Sequence, residues 1–376
     1  MAKKIRLMIV DDSATLRQVL STVLAELPDI EVIATAADPI FALEKMKKDW
    51  PDVLLLDIEM PRMDGLTFLR KLMKESPIPV VIFSTLTEQG TSVAMQALAA
   101  GAVGVAVKPA TGLKQFLQLH SNGLIQQIRA AAAAKLVRKA AVPAKTVILP
   151  VVPATASQHK SVSAGGQGPT KRPELIAIGA STGGPQAIEA LLTALPATTP
   201  GIVIVQHMPQ NFTAAFARRL NTVCQLQVKE AEPGDLIIPG RVLIAPGGQH
   251  MTVRQVNRQL LVDVQSGPHV NRHCPSVDVL FKSVAEVVGE ASVGIILTGM
   301  GNDGARGMKQ MFERGALTLA EDEQSCIVYG MPKEAVKMGG VSQSLSLSAM
   351  IRVLQCNTLI TPITSLELAL CSQTLL

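Results

Sequence analysis

A chain of 376 residues, 48% hydrophobic and carrying a net charge of +5, is long enough for two domains with cores of their own. No apolar run reaches the roughly 18–20 residues needed to cross a bilayer, and Met1-Ala2-Lys3-Lys4 passes straight into a strand pattern, without the apolar stretch of a signal peptide. The five cysteines (Cys224, Cys274, Cys326, Cys356 and Cys371) are odd in number and show no CxxC spacing, which points to reduced, metal-free thiols and a cytoplasmic location.

Residues 5–110 alternate short apolar runs with amphipathic ones. The runs at 5–10, 30–36, 52–56, 78–83 and 103–107 are rich in Val, Ile and Leu and read as strands. Helical patterns lie between them near 14–26, 39–48, 65–74 and 91–100. Five strands alternating with helices indicate an α/β domain with a parallel sheet covered on both faces. A last helix starts near Gly112 and runs through the alanines at 130–134.

From about Ala140 to Pro173 the composition shifts to Pro, Ser, Ala and Gly with no sustained period, as in a flexible linker. Eight basic residues and no acidic one fall between His120 and Pro173, so the rest of the chain carries about −3 (5 minus 8). That stretch has no aromatic residue to stack on a base, which disfavours nucleic-acid binding. Alternation resumes at 174–355, with strands expected at 175–179, 201–206, 241–245, 259–264, 292–297 and 316–320. Helices are expected at 185–195, 212–222, 276–288, 304–314 and 331–338, and extra β-hairpin content around 225–265. The boundaries that follow are 4–122 and 173–362 for the domains, 123–172 for a helix end and linker, and 363–376 for a tail.

Open parallel sheets bind ligands at the carboxyl ends of their strands. In the first domain those ends carry Asp11 and Asp12, Asp57, Ser84 and Lys108. Three carboxylates converging in a half-buried cleft repel one another and call for a divalent cation; an all-oxygen site with room for water suits Mg²⁺. A single Asp there would be a helix cap, but the whole set is not well explained that way. The segments "VDDSATLRQVL", "LLLDIEMPRMDG", "IFSTL" and "GVAVKPA" resemble the receiver domain of two-component response regulators, a (βα)5 doubly wound fold. The resemblance implies that Asp57 accepts a phosphoryl group, that Asp11, Asp12 and Asp57 hold Mg²⁺, and that Ser84 and Lys108 contact the phosphoryl oxygens. Many receivers carry an aromatic residue three positions before the lysine; Val105 stands there instead, so the signal is expected to leave through the Ser84 side.

In the second domain "IAIGASTGGP" is a buried strand followed by a glycine-rich turn and a helix. Its Gly179-Ala180-Ser181-Thr182-Gly183 fits G-x-S-x-G, the turn that exposes a nucleophilic serine, although such turns also cradle phosphates. The next strand ends at His207, and a later one leads into a glycine-rich loop carrying Asp303. Alone, His207 reads as an ordinary histidine and Asp303 as a helix cap. Together with Ser181, each following its own strand, they form the set that serine chemistry needs: a nucleophile, a base, and a carboxylate to orient the base. The order Ser…His…Asp differs from that of the α/β-hydrolases. His250, His269 and His273 lie in Gly- or Pro-rich contexts and compete less well as the base.

With "VIVQHMPQNFTAAFARRL", "VLIAPGGQHM", "PSVDVLFKSVA", "IILTGMGNDGARGM" and "YGMPKEAV", residues 173–355 resemble the catalytic domain of chemotaxis protein-glutamate methylesterases. Receiver, linker and hydrolytic domain in that order match the response-regulator methylesterase/glutaminase family. The resemblance implies a larger parallel-sheet domain with a β-hairpin insertion. It also implies hydrolysis of glutamyl methyl esters and deamidation of glutamines on chemoreceptors. Ser181 would attack, His207 move the proton, Asp303 orient His207, and the N–H groups of Thr182 and Met300 form the oxyanion hole, with no metal in this domain. The implied partners are a chemotaxis sensor histidine kinase and methylated chemoreceptors, with no direct membrane insertion, and the chain would act as a monomer. Two other outputs stay open at this level, a nucleotide- or DNA-binding module and a catalytically inert interaction module. The former lacks a complete fingerprint or a helix-turn-helix pattern.

Overall fold

The structure, a computed structural model, describes residues 3–60, 63–108, 113–136 and 173–356. The N-terminal domain runs β1 (Ile5–Val10), α1 (Ala14–Ala25), β2 (Ile30–Ala36), α2 (Pro39–Met46), β3 (Val53–Asp57), α3 (Gly65–Glu75), β4 (Val80–Ser84), α4 (Glu88–Ala99), β5 (Gly104–Val107) and α5 (Leu113–Ala132). Its sheet order is β2-β1-β3-β4-β5 and every pairing is parallel, so the strand order reverses between β1 and β3. Both faces of β3 and β4 are buried, which is why they read as continuous apolar runs. Ser13, Asp38, Asp64 and Thr87 cap α1 to α4 by accepting N–H groups of the first turn. The Thr87 cap sets the start of α4 at Glu88, earlier than its apolar periodicity alone indicates.

The C-terminal domain runs β6 (Leu175–Ala180), α6 (Gly184–Thr193), β7 (Gly201–Gln206), α7 (Phe212–Val223), β8 (Gln227–Glu230), β9 (Arg241–Ile244), β10 (His250–Val256), β11 (Gln259–Gln265), α8 (Val277–Val287), β12 (Ser292–Ile296), α9 (Ala305–Glu313), β13 (Leu317–Glu321), α10 (Met331–Lys337), β14 (Gln343–Leu345) and α11 (Leu347–Gln355). Seven parallel strands follow the order β14-β13-β12-β6-β7-β9-β8. The hairpin expected around 225–265 is confined to β10 and β11, joined by a tight turn with Asn257 and Arg258 at positive φ. β8 instead forms a short edge strand of the main sheet, and β14 and α11 add elements that the periodicity did not indicate. Most of the expected linker, from 137 on, and the chain from 357 on lie outside the described residues.

The layout puts chemistry at one end of this sheet. The chain leaves β6 for β7 on one side and returns to β12 on the other, so a crevice opens above the carboxyl end of β6, the place where such folds bind ligands. Gly179, near the end of β6, lets α8 pack directly on the strand: a Cβ there would lie 2.2 Å from Val277 Cγ1. An apolar cluster covers one face of the sheet and continues into the N-terminal domain through Met95 and Leu98 of α4, which faces α6 and α7. We predict that Gly179→Ala lowers unfolding stability by about 1–3 kcal/mol, read as a lower urea midpoint with an unchanged slope; an unchanged midpoint would show that α8 can shift without cost.

Candidate active site

The turn after β6 carries Ser181 and Thr182, both buried, and enters α6 through Gly183. Gly183 has φ +79, and a Cβ there would meet the Ile327 side chain, so glycine is required on two counts. The turn is pinned from the β12 side. Ser181 N–H donates to Thr298 O (3.0 Å), Thr298 Oγ1 donates to Thr182 O (2.9 Å), and Thr298 N–H donates to the Glu321 carboxylate (2.8 Å). Glu321 is buried, and burial pushes its carboxyl above the usual range, so it trades a solvation penalty for a fixed loop. The N–H groups of Thr182 and Met300 make no hydrogen bond to any described residue, which leaves both as donors for a ligand oxygen.

His207 follows β7 and its backbone N–H is held by Ala180 O (3.0 Å). Its Nε2 lies 2.9 Å from Asp303 Oδ2. The other ring nitrogen, Nδ1, is buried and has no hydrogen-bond partner. Asp303 is not a cap of its own helix, since Gly304 occupies that position before α9. It sits instead in front of the first turn of α8, where its carboxylate accepts Val277 N–H (2.7 Å), Asp278 N–H (3.3 Å) and Ser276 Oγ–H (2.7 Å). Asn271 Nδ2 adds a further donor at 2.8 Å. Burial opposes ionisation of Asp303, but the His207 ring and these donors together hold its carboxyl far below the usual carboxylate range. The carboxylate therefore stays charged and orients His207 with Nδ1 as the nitrogen free to take a proton.

Ser181, Thr182, His207 and Met300 line one cavity of about 690 Å³, whose opposite wall is the N-terminal domain: Val105, Ala106, Val107, Leu124 and Gln127. The structure thus brings the five expected residues of this domain around a common crevice, with Asp303 reaching it through His207. Residues that sequence reasoning missed are Thr298, Glu321, Asn271, Ser276 and His273, which stacks on His207. The signal of Asn271, His273 and Ser276 lay in the start of the quoted segment "PSVDVLFKSVA" and the loop before it, whereas Thr298 and Glu321 stand at the ends of β12 and β13, outside any pattern read as a site. The docking hydrogen bonds end largely on backbone carbonyls, beside one exposed ion pair between Lys135 and Glu323. Gly183 N–H donates to Val103 O (3.1 Å), Lys135 N–H donates to Ile327 O (2.7 Å), and Gln186 Nε2 donates to Leu98 O and Ala102 O (2.7 and 2.5 Å).

In the N-terminal domain, Asp11, Asp12 and Asp57 each present an oxygen within 4.8 Å of the others. Lys108 Nζ bridges Asp11 (2.8 Å) and Asp57 (2.7 Å). Three hard oxygen donors at this spacing fit a divalent cation of the magnesium or calcium type. Burial pushes the Asp57 carboxyl up to about 6, with Lys108 opposing and the neighbouring Asp11 reinforcing the shift. Ser84 is buried at the end of β4 and donates its hydroxyl to Gly90 O in α4 (3.1 Å), away from the carboxylates. Val105 is buried beside the Ser181 cavity.

Because the folded chain holds a proton on Asp57 that the unfolded chain has released, this group's contribution to stability is lost as pH rises from 3.8 through about 6. We predict that Asp57→Asn gains stability relative to the parent over that window, by up to about 3 kcal/mol, measured by thermal melts without divalent cations. Added Mg²⁺ should narrow the difference; a pH-independent difference would place the carboxylate in water.

Two family models match the chain: "CheB methylesterase" over residues 176–354 and "Response regulator receiver domain" over residues 7–119. The protein-glutamate methylesterase/protein-glutamine glutaminase 1 of Xanthomonas oryzae pv. oryzae is 57% identical over 91% of this chain and 98% of its own length. The corresponding protein 2 of Hahella chejuensis is 53% identical over 95% of this chain and 96% of its own length. No helix among the described residues is long and apolar enough to cross a membrane. A receiver sheet with its carboxylate cluster, joined to a domain whose serine turn, histidine and aspartate share one crevice, matches these relatives nearly end to end, and the chain belongs to the protein-glutamate methylesterase/protein-glutamine glutaminase family.

Proposed function

We propose that this chain hydrolyses glutamyl methyl esters and deamidates glutamines on chemoreceptors, through Ser181, His207 and Asp303, under control of phosphorylation at Asp57. The observation that carries the reading is the pairing of His207 Nε2 with Asp303, which leaves a buried, unpartnered Nδ1 beside the Ser181 turn. Ser181 Oγ gives its proton to Nδ1 as it attacks the ester carbon. The oxyanion is held by the Thr182 and Met300 N–H groups, each such donor typically worth about 3–4 kcal/mol in the transition state. Collapse expels methanol, protonated from Nδ1; water then attacks the acyl-enzyme with His207 again as base, and a carboxylate remains. A glutamine amide follows the same course with ammonia leaving, so deamidation needs no further residue.

Mg²⁺ at Asp11, Asp12 and Asp57 would neutralise the carboxylates during phosphoryl transfer from a chemotaxis histidine kinase, with Lys108 paired to the new phosphoryl group. Regulation follows from what Ser84 and α4 touch. Turning the Ser84 hydroxyl toward a phosphoryl oxygen breaks its bond to Gly90 O at the start of α4. The end of α4 is where Gln186, five residues after Ser181, is held by Leu98 O and Ala102 O. Loosening α4 therefore loosens the receiver over the crevice, which fits a route through Ser84 and not through an aromatic residue at position 105.

Ser181→Ala should abolish methanol release from methylated receptor membranes while leaving the melting temperature within a few degrees; retained release would remove the serine from the chemistry. Acetyl phosphate with Mg²⁺ should raise release by the parent chain and have no effect on Asp57→Asn. Gln186→Ala should raise release without a phosphodonor and shrink the further activation, since two hydrogen bonds of the docked state, roughly 1 kcal/mol each, are gone. An unaltered unstimulated rate would show that this contact does not hold the receiver in place.

A further inference from the structure

His207 is fixed along its edge by Asp303, but an edge contact alone leaves the ring free to rock about that hydrogen bond. The face of the ring is covered by His273, with centroids 3.7 Å apart and planes 5° from parallel. His273 is held by a four-residue turn in which Val270 N–H donates to His273 O (3.0 Å) and His273 N–H donates to Val270 O (2.9 Å). The two central residues, Asn271 and Arg272, have φ of 50° and 71°, the left-handed pair of a tight hairpin turn. The same turn delivers Asn271 Nδ2 to Asp303 Oδ1 (2.8 Å) and to Asp278 Oδ2 (2.7 Å). One short turn thus touches both the imidazole and the carboxylate.

We propose that His273 is a positioning residue for the hydrolytic reaction: its flat ring, delivered by the Val270–His273 turn, holds the plane of the His207 imidazole so that Nδ1 stays offered to Ser181 while Nε2 stays on Asp303. The inference rests on the Ser181–His207–Asp303 reading above. The charged and titratable groups around His273 are His207, Asp303, His269 and Arg272, and burial first, then His207, pushes its imidazole down to about 3. It is therefore neutral at the pH where the enzyme works. A neutral π face stacked on His207 tolerates the imidazolium that forms during proton transfer, where a second cation at this distance would oppose it. The role asks for flatness and neutrality, not for proton exchange by His273 itself.

The test uses the full chain with acetyl phosphate and Mg²⁺, and methanol release from methylated receptor membranes. His273→Ala should lower kcat roughly 10- to 100-fold with little change in KM, the size expected when a base is misoriented by about an ångström. His273→Phe, which keeps a flat neutral face, should recover most of that loss. The downfield proton resonance of the His207–Asp303 hydrogen bond should broaden in the alanine variant and sharpen again in the phenylalanine one. If His273→Ala does not fold, His273→Gln, which keeps much of the volume but no ring, takes its place. An unchanged kcat in the ring-less variant, or equal losses in ring-less and phenylalanine variants, would overturn the proposal. His207→Ala separates the two readings: turnover surviving that change would sink the triad assignment, whereas its loss beside a fully active His273→Ala would sink only the role of His273.

Discussion

The bond between Asp303 and His207 is the constraint on which the rest of the catalytic domain turns. A carboxylate buried to 1% exposure is costly unless it is saturated with donors, and here the first turn of α8, Ser276, Asn271 and His207 supply them. That saturation keeps Asp303 ionised, and an ionised Asp303 fixes which imidazole nitrogen is left for chemistry. The position of α8 therefore matters as much as the residues themselves. It packs on β6 where Gly179 has no side chain, so the strand that leads to Ser181 and the helix that anchors Asp303 are held in one register.

The serine turn is built on the same logic from the other side. Thr298 binds it with its carbonyl and its hydroxyl, and Glu321 holds Thr298. The N–H groups of Thr182 and Met300, which make no hydrogen bond to a described residue, belong to the two loops so tied. A third N–H of the turn, that of Gly183, is taken by a carbonyl of the receiver. The receiver thus docks on the turn that carries Ser181, and α4 connects that contact to the ends of β4 and β3, where Ser84 and Asp57 lie. Charge added at Asp57, as proposed, would act on an interface held by few hydrogen bonds, which is the kind a modest free-energy change can shift.

Much of this was legible in the residues alone. Of the eleven strands expected, interior ones such as β3, β4, β6, β7 and β12 have parallel-sheet composition, and burial on both faces makes them easy to find. Ser181, His207 and Asp303 each follow a strand, so the topology rule for open sheets was enough to place them at one crevice. What stayed hidden has physical reasons. β8 and β14 are short and half exposed, so neither alternation nor an apolar run marks them. The hairpin of β10 and β11 is smaller than expected because β8 joins the main sheet. Taken alone, Asp303 read as a cap of the helix after it; it instead accepts from the first turn of α8 across the crevice, a contact of long sequence separation that no local pattern encodes. His273 was set aside as a base, while its stacking on His207 depends on the Val270–His273 turn, in which Arg272 as well as Asn271 takes a left-handed conformation that arginine does not announce.

The account stands or falls on Ser181 Oγ being activated by His207. Treating the phosphorylated full chain with a fluorophosphonate, which mimics the tetrahedral intermediate at an activated serine, and mapping the adduct by mass spectrometry tests this most directly. The account predicts a single adduct on Ser181 that disappears in His207→Ala. Labelling at another residue, or labelling of Ser181 at an equal rate without the imidazole, would contradict it.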